Sequence, residues 1–228
     1  MKPKNPFRNL TKFERILWLS SVAVVIGSFV LSNGQGWLNC IASVIGVTAL
    51  IFVSKGHVFG QILTVIFSLF YGVISFEFKY YGEMITYLGM TAPIALMSVI
   101  SWLKHPYKDS SEIEVQHLNK KQIRSIIVLT VIVTAAFYFI LKYFNTANLI
   151  VSTISIATSF SASYLTFLRS PCYALAYSAN DIVLIVLWVL ASVTELSYLP
   201  MVFCFLMFLF NDIYGYFNWV RMRKRQAK

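Results

Sequence analysis

Charge is scarce in this sequence. Only 12% of its 228 residues are Asp, Glu, Lys or Arg, against roughly 25% in a soluble globular protein. Acidic residues are the scarcest, with nine against nineteen basic ones. Because 58% of the residues are hydrophobic, the chain has too little polar surface to cover a water-soluble globule, and it is too hydrophobic to be disordered. The composition predicts an integral membrane protein.

Motifs for catalysis and metal binding are also lacking. No C-x-x-C pair, G-x-S-x-G, H-E-x-x-H or Walker A sequence occurs, and the last apolar stretch has no lysine that could hold retinal. The few thiols and imidazoles have no ligand-like spacing; they are Cys40, Cys172, Cys204, His57, His105 and His117. We therefore expect isolated buried thiols, no metal, no cofactor and no enzymatic activity.

What the sequence does have is long apolar stretches. A helix that crosses a bilayer needs about 20 mostly apolar residues, and eight stretches approach or reach that length. They are Ile16–Leu31, Trp37–Val53, Val58–Phe76, Met84–Leu103, Ile123–Tyr143, Leu149–Leu168, Tyr173–Ser192 and Leu199–Val220. Short loops separate most of them, and the charged stretch from Lys104 to Gln122 is the one long linker. The pattern predicts about eight spans.

The basic residues predict the orientation of these spans. With a cytoplasmic N-terminus, seventeen of the nineteen lie on the cytoplasmic side, and only Lys79 and Lys142 lie outside. This distribution obeys the positive-inside rule. It predicts cytoplasmic termini and explains the net positive charge without nucleic-acid binding. No small-residue cleavage site stands out after the basic N-terminus, so the first apolar stretch is predicted to be an anchor and not a cleaved signal peptide.

The two halves on either side of the linker have similar endings. Ser101-Trp102-Leu103-Lys104 closes the first half, and Asn218-Trp219-Val220-Arg221 closes the second. A duplication of four spans would relate them as a parallel repeat, although generic helix packing could give the same likeness. Aromatic residues near the ends of the stretches are predicted to form interface belts: Trp37, Tyr80, Tyr81, Trp102 and Tyr198.

Polar residues inside the apolar stretches are the candidate site. Those at depth must face a helix partner or a water-filled path, and a buried carboxylate costs at least about 2.5 kcal/mol. The candidates are Tyr173, Tyr177, Asn180, Asn211, Tyr214, Gln61, Tyr71 and Tyr87, with Asp181, Asp212, Glu83 and Asn39 as further possibilities. Tyrosine rings can stack on a flat ligand and amides can bind hydroxyl groups. The alternative is that these side chains only tie helices together.

Several of these residues stand in motifs that resemble the PnuC vitamin-uptake transporters. In the first half these are Phe59-Gly60-Gln61-Ile62, Tyr71-Gly72, Tyr81-Gly82-Glu83-Met84, Pro93 and Ser101-Trp102. In the second half they are Asn180-Asp181-Ile182-Val183 and the closing run from Asn211 to Trp219. The likeness extends from about Trp37 to Arg225.

This resemblance implies an all-α polytopic membrane protein with a SWEET-like 3+1+3 arrangement of helices and an extra N-terminal helix. The segments would be residues 1–15 (basic N-terminus), 16–36 (N-terminal helix), 37–103 (first three-helix bundle), 104–122 (cytoplasmic linker), 123–148 (linking helix), 149–220 (second three-helix bundle) and 221–228 (basic C-terminus). It also implies a homotrimer in the bacterial inner membrane. Nicotinamide riboside would be taken up by facilitated diffusion and trapped by a cytoplasmic nucleoside kinase.

The expected ligand contacts match this family only in part. Asn211 and Tyr214 fit the family's N-x-x-Y motif, and Asn180 fits its polar position, but Tyr173 and Ala176 replace both tryptophans of its W-x-x-W motif. The substitution reduces the aromatic clamp. A deoxynucleoside or thiamine carrier of the same family therefore stays open as an alternative, as does a membrane sensor that transports nothing.

Overall fold

Side-chain hydrogen bonds set the starts of two long helices. A computed structural model describes residues 6–32, 36–77, 81–108 and 110–227. Its first long helix begins with a capping box, in which the Glu14 amide donates to Thr11 Oγ1 (3.3 Å) and the Thr11 amide donates to Glu14 Oε2 (2.6 Å). Asn119 and Gln122 form the same reciprocal pair at the helix that follows the linker (2.8 and 3.0 Å). These caps satisfy N–H groups that the first turn leaves free.

Nine α-helices make up the described part of the chain. They are α1 (Lys12–Leu31), α2 (Trp37–Ser54), α3 (Val58–Glu77), α4 (Tyr81–Thr86), α5 (Ala92–Lys104), α6 (Lys120–Tyr143), α7 (Leu149–Phe167), α8 (Cys172–Thr194) and α9 (Leu199–Gln226). Seven helical segments are long and apolar enough to cross a membrane, and α3 holds a shorter apolar helix, Val58–Val73. The predicted all-α polytopic membrane protein is confirmed.

The fourth predicted span is interrupted. A π-helical turn, Tyr87–Thr91, joins α4 to α5 and makes one membrane-crossing segment, Tyr81–Lys104. Pro93 lies in the first turn of α5; it lacks an N–H, and its ring disfavours a regular turn before it. Within the turn, the Thr91 hydroxyl donates to the Thr86 carbonyl (3.3 Å). Turns of this kind are frequent at functional sites.

Packing orders the helices around α2 and α9. Helix α9 packs against both α2 and α8, and α7 packs against α8. Helix α1 contacts both α2 and α9, so it braces one helix of each half. Helix α6 packs mainly on α7, and no residue of its apolar stretch is fully shielded except Leu141 at its end.

The linker is more ordered than its charge pattern suggests. Isolated β-bridges join His57 to Glu112 and Pro106 to Ile113, and Ile113 and Val115 are buried. Helix α6 starts at Lys120, before the predicted end of the linker at Gln122. The linker therefore docks on the ends of the helices, because Ile113 and Val115 pack between them.

Two sequence predictions were wrong in detail. Trp102 was expected at the membrane interface, but it is 1% exposed and lies in the core; Trp37, at 64% exposed, fits the belt. Tyr80 and Lys79 lie outside the described residues. The three thiols are unpaired as expected, but only Cys204 is buried, whereas Cys40 is half-buried and Cys172 is exposed.

Candidate functional site

A polar stripe runs along α8. Tyr173, Tyr177 and Asn180 are spaced by about one helical turn each, so they share one face. Asn180 is 6% exposed, and its Oδ1 accepts from the hydroxyl of Thr158 on α7 (2.8 Å). The Tyr177 hydroxyl lies 3.0 Å from Ser163 Oγ, also on α7. Asn180 and Tyr177 thus each have a polar partner in α7.

Two carboxyl groups meet behind this stripe. Asp181 on α8 and Asp212 on α9 are 2% and 3% exposed, and their side chains lie within hydrogen-bonding reach of each other. The Oδ2 atom of Asp181 has no partner among the described residues. Such a buried acceptor is costly without a partner, so it is a group with capacity to bind something else.

A small cavity separates this face from the first half. It has a volume of about 40 Å³. Asn180 lines it from the second half and Glu83 and Tyr87 from the first, with the remaining polar walls supplied by Thr86, Thr146, Ser152, Ser155 and Ser159. Tyr87 is also within electrostatic reach of Tyr177 and Asp181. This volume holds a few water molecules, whereas small-molecule sites are roughly 300–1,000 Å³.

Tyr173 does not line the cavity and is fully packed. It is 1% exposed, and its ring centroid lies 4.6 Å from that of Trp219 on α9. Its hydroxyl fits over Gly215, where a Cβ atom would come within 2.9 Å. Gly215 therefore makes room for the hydroxyl that distinguishes this position from the family's tryptophan. Ala176, at the second tryptophan position, is half-buried beside the same core.

The two halves close on each other at the helix ends that carry Lys55, Lys104, Arg169 and Arg221, which we call the charged end. The indole of Trp102, at the end of α5, donates to the Thr166 carbonyl of α7 (3.0 Å). The indole of Trp219, on α9, donates to the Val53 carbonyl of α2 (2.9 Å). The two rings touch, with centroids 5.6 Å apart. Each half thus uses its closing tryptophan to cap the end of a helix in the other half.

The neighbouring residues repeat this exchange. Ser101 Oγ donates to the Phe167 carbonyl (3.2 Å), and Asn218 Nδ2 donates to the Ser54 carbonyl (2.8 Å). Ser101 and Trp102 therefore bond the last two carbonyls of α7, and Asn218 and Trp219 bond the last two carbonyls of α2. This is the relation that a parallel duplication predicts.

The linker lies across both helix ends. The Ile113 amide donates to the Gly56 carbonyl (3.0 Å), and the Gln116 amide donates to the Arg169 carbonyl (3.0 Å). The side chain of Gln226 at the end of α9 bonds the backbone of Ile113 and Val115. The linker is thus tied to the α2–α3 loop, the α7–α8 loop and α9 at the charged end.

Asn211 and Tyr214 face α1. Asn211 Nδ2 donates to Ser21 Oγ (3.0 Å), and the Tyr214 hydroxyl donates to Glu14 Oε1 (2.7 Å). Glu14 is 1% exposed and also accepts from Lys55 Nζ (2.9 Å). The N-x-x-Y motif therefore holds the N-terminal helix in this structure, while its neighbour Asp212 faces α8.

The other candidates are spread over the first half. Gln61 is buried on α3, and Tyr71 is buried on the same helix with its ring 4.5 Å from that of Tyr87. Asn39 lies near the start of α2, next to Gly36, and does not line the cavity. The structure thus brings Glu83, Tyr87 and Asn180 together and leaves Asn39 apart.

Sequence reasoning missed the partners of these residues. Glu14 and Ser21 were not singled out, although a lone acid at the start of an apolar stretch is a signal for a buried pair. Lys55 was interpreted only as a topology signal. The hydroxyl groups that line the cavity were not singled out, because serine and threonine are also common small residues at ordinary helix contacts in membranes.

The chain is a polytopic membrane protein with a small polar cavity between two packed sets of helices, and the family that it matches is one of membrane transporters. The chain belongs to the nicotinamide mononucleotide transporter family, which it matches over residues 36–221. The family and its structural neighbours are transporters, so the chain is not an enzyme.

Named relatives support the assignment over nearly the whole chain. The chain is 27% identical to the nicotinamide riboside transporter PnuC of Neisseria mucosa, over 97% of this chain and 86% of that protein. It is 24% identical to the protein of the same name from Haemophilus influenzae, over 97% and 96%. Its fold matches the crystal structure of the vitamin B3 transporter PnuC with a TM-score of 0.81 and 26% identity, over 96% and 94% of the two chains.

Proposed function

We propose that this protein carries nicotinamide riboside, or a closely similar nucleoside, across the membrane by alternating access. The relatives named for nicotinamide riboside transport support the substrate class. The observation that carries the proposal is the cavity lined by Glu83 and Tyr87 from one half and Asn180 from the other. A ligand there would touch both halves, so their relative movement would change its access.

The site in this proposal is built from amides, carboxyls and tyrosines. Asn180 and the unpartnered oxygen of Asp181 would bind ribose hydroxyls, because amides and carboxylates accept hydrogen bonds. Tyr87 and Tyr177 would offer ring faces to the flat base. Glu83 lines the cavity beside Tyr87. The residues proposed to take part from outside the cavity are Tyr173, Asp212, Asn211, Tyr214, Gln61, Tyr71 and Asn39.

The size of the cavity sets a condition on this mechanism. A cavity of about 40 Å³ cannot hold a nucleoside, so helices must part before the ligand enters. The charged end is closed by the paired tryptophan bonds and by the linker. The segment around the π-helical turn lacks that bracing, and we propose that it moves first.

The remaining parts of the proposal concern the helix arrangement, the oligomeric state and the location in the membrane. It includes the 3+1+3 arrangement with the segment boundaries given above, a homotrimer in the bacterial inner membrane and cytoplasmic termini. The positive-inside distribution of basic residues supports the orientation. Transport would be facilitated diffusion, made one-way by a cytoplasmic nucleoside kinase.

A deoxynucleoside or thiamine carrier is the second candidate. The observation that favours it is at α8, where Ala176 replaces an indole and Tyr173 packs on Trp219 instead of lining the cavity. With fewer aromatic side chains at this position, the site would suit a ligand that depends less on ring stacking. A sensor without transport is the third candidate, and it would bind ligand with no flux.

Uptake into proteoliposomes tests these candidates. Liposomes that contain a nucleoside kinase and ATP should accumulate labelled nicotinamide riboside. Asn180→Leu should weaken its binding by about 1–3 kcal/mol, because ligand hydroxyls lose their partner. Thr194→Val at the far end of α8, where the hydroxyl bonds only its own helix, is the control. Saturable thymidine or thiamine uptake without nicotinamide riboside uptake contradicts the first candidate, and binding without any flux supports the sensor.

A further inference from the structure

A second opening lies between α1 and α9 at the charged end. It is a groove of about 680 Å³, much larger than the central cavity. Phe13 and Leu17 of α1 line one side, and Phe210, Ile213 and Phe217 of α9 line the other. It lies apart from the central cavity, with which it shares no lining residue.

The α9 side of the groove is a single stripe with a charge at its end. Phe210, Ile213, Phe217 and Arg221 follow one another at three or four residues, so they lie on one face of the helix. The first three are 54%, 43% and 57% exposed, and Phe13 opposite is 59% exposed. The groove therefore has an apolar floor that leads to an arginine.

Among the described residues, one cation that lines the groove has no carboxylate partner. Lys55 is paired with Glu14, and Arg225 is paired with Glu112. Arg221 is exposed and has no carboxylate partner within the described residues. Its positive charge reaches Tyr214, so it stands at the mouth of the groove beside the junction of α1 and α9. The electrostatic complement of this mouth is an anion.

We propose that the groove binds an anionic phospholipid, with the phosphate at Arg221 and an acyl chain along Phe217, Ile213 and Phe210. The floor belongs to a membrane-spanning segment, where acyl chains are the surrounding solvent. Its cationic end lies where α9 leaves its apolar stretch, at the level of headgroups. Arginine binds phosphate through a rigid fork of donors, and amphiphiles of this shape match both ends of the groove.

The bound lipid would also bear on helix packing. Phe13 touches Tyr214, with ring centroids 5.3 Å apart, and Tyr214 bonds Glu14. A lipid in the groove covers this junction from the membrane side. It would therefore stabilise the contact between α1 and α9 whatever solute the protein carries, so the proposal does not depend on the proposed function.

Native mass spectrometry of the whole protein in detergent tests this site. The protein is titrated with phosphatidylglycerol or phosphatidylcholine, and bound lipids are counted. We expect the first phosphatidylglycerol to bind about five-fold more tightly than phosphatidylcholine, since one basic residue near the surface contributes about 1 kcal/mol. Arg221→Gln should remove that preference. Arg124→Gln, which removes an exposed charge at the start of α6, should keep it.

Two further arms separate lipid from other occupants. Phe217→Ala should lower the affinity for both lipids and keep their ratio, because it removes only the apolar floor. Glycerol phosphate, which has the headgroup charge without the acyl chains, should not compete. Three results would overturn the proposal. Glycerol phosphate could compete with the lipid, or both arginine variants could lose the preference equally. The third is that Phe217→Ala dissociates an oligomer and leaves lipid binding unchanged.

Discussion

The two halves of the molecule close in the same way but are braced differently. Trp102 and Trp219 make equivalent bonds across the charged end. The helix ends that they cap carry Lys55 in the first half and Arg169 in the second. Lys55 is paired with the buried Glu14 of α1, whereas Arg169 is 7% exposed with Nε and Nη1 unpartnered among the described residues. Both halves therefore have the tryptophan bond that closes the charged end, but only the basic residue of the first half has a buried carboxylate partner.

This difference indicates what helix α1 does. Helix α1 supplies Glu14 to Lys55 and Tyr214, and Ser21 to Asn211, so it ties the first half to α9. For Arg169, burial lowers the guanidinium pKa, and Glu114 of the linker opposes that effect. At the charged end, the charge of Arg169 is thus opposed by the linker, whereas that of Lys55 is paired with α1.

Removing one partner of the Glu14–Lys55 pair should have the largest effect. Lys55→Met leaves a carboxylate buried without its cation, and such losses cost about 3–5 kcal/mol. We expect about 3 kcal/mol, because Tyr214 and Thr11 still donate to Glu14. An SDS titration that compares the unfolding free energies of the wild type and Lys55→Met measures this loss.

Arg169→Met is the matched control, since no buried carboxylate loses a partner there. It should change stability by less than half as much as Lys55→Met. Equal losses in the two variants would show that the halves are braced alike, and the contrast drawn above would be wrong.

The fold was predictable and the partners were not. Span positions follow from apolar length, and the linker follows from its charge. The sequence could not show that Ile113 and Val115 would bury themselves between helix ends, because two apolar residues in a charged segment carry no signal of their own. Trp102 was placed at the interface by its position near a span end, whereas its repeat partner Trp219 could have indicated a shared contact. Asn180 was found because an amide at depth is rare, but Thr158 was hidden among small residues.

The two tryptophan bonds should be equal in strength. Trp102→Phe and Trp219→Phe each keep an aromatic ring and lose one indole donor, which leaves a carbonyl unsatisfied. Each should cost about 1–2 kcal/mol and raise the rate at which the charged end opens.

Cysteine accessibility at Ser54 and Phe167, compared in the two variants with a membrane-impermeant reagent, measures that opening. The same increase in both variants supports a duplicated closure. An increase in only one of them would assign the closure to a single half.

The smallest expected effect lies in the loops that lead into α3 and α8. His57 Nδ1 accepts from the Phe59 amide (3.1 Å), whereas Ser170 Oγ accepts from the Cys172 amide (3.3 Å). Burial, and then the charge of Lys55, lower the pKa of His57, so the folded protein resists protonation that the unfolded chain allows. Stability contributed by this neutral imidazole is therefore complete above the unfolded pKa of about 6.5 and is lost as the pH falls below it.

Thermal unfolding between pH 8 and pH 5 should detect this dependence. The wild type should lose about 1 kcal/mol of stability on acidification, the contribution of one hydrogen bond, and His57→Asn should lose less, because an amide oxygen accepts at any pH. Ser170→Ala should lower stability equally at both pH values, since a hydroxyl does not titrate in this range. If the stability of His57→Asn depends on pH as much as that of the wild type, the titrating group is not His57. The loops before α3 and α8 would then not differ in this respect.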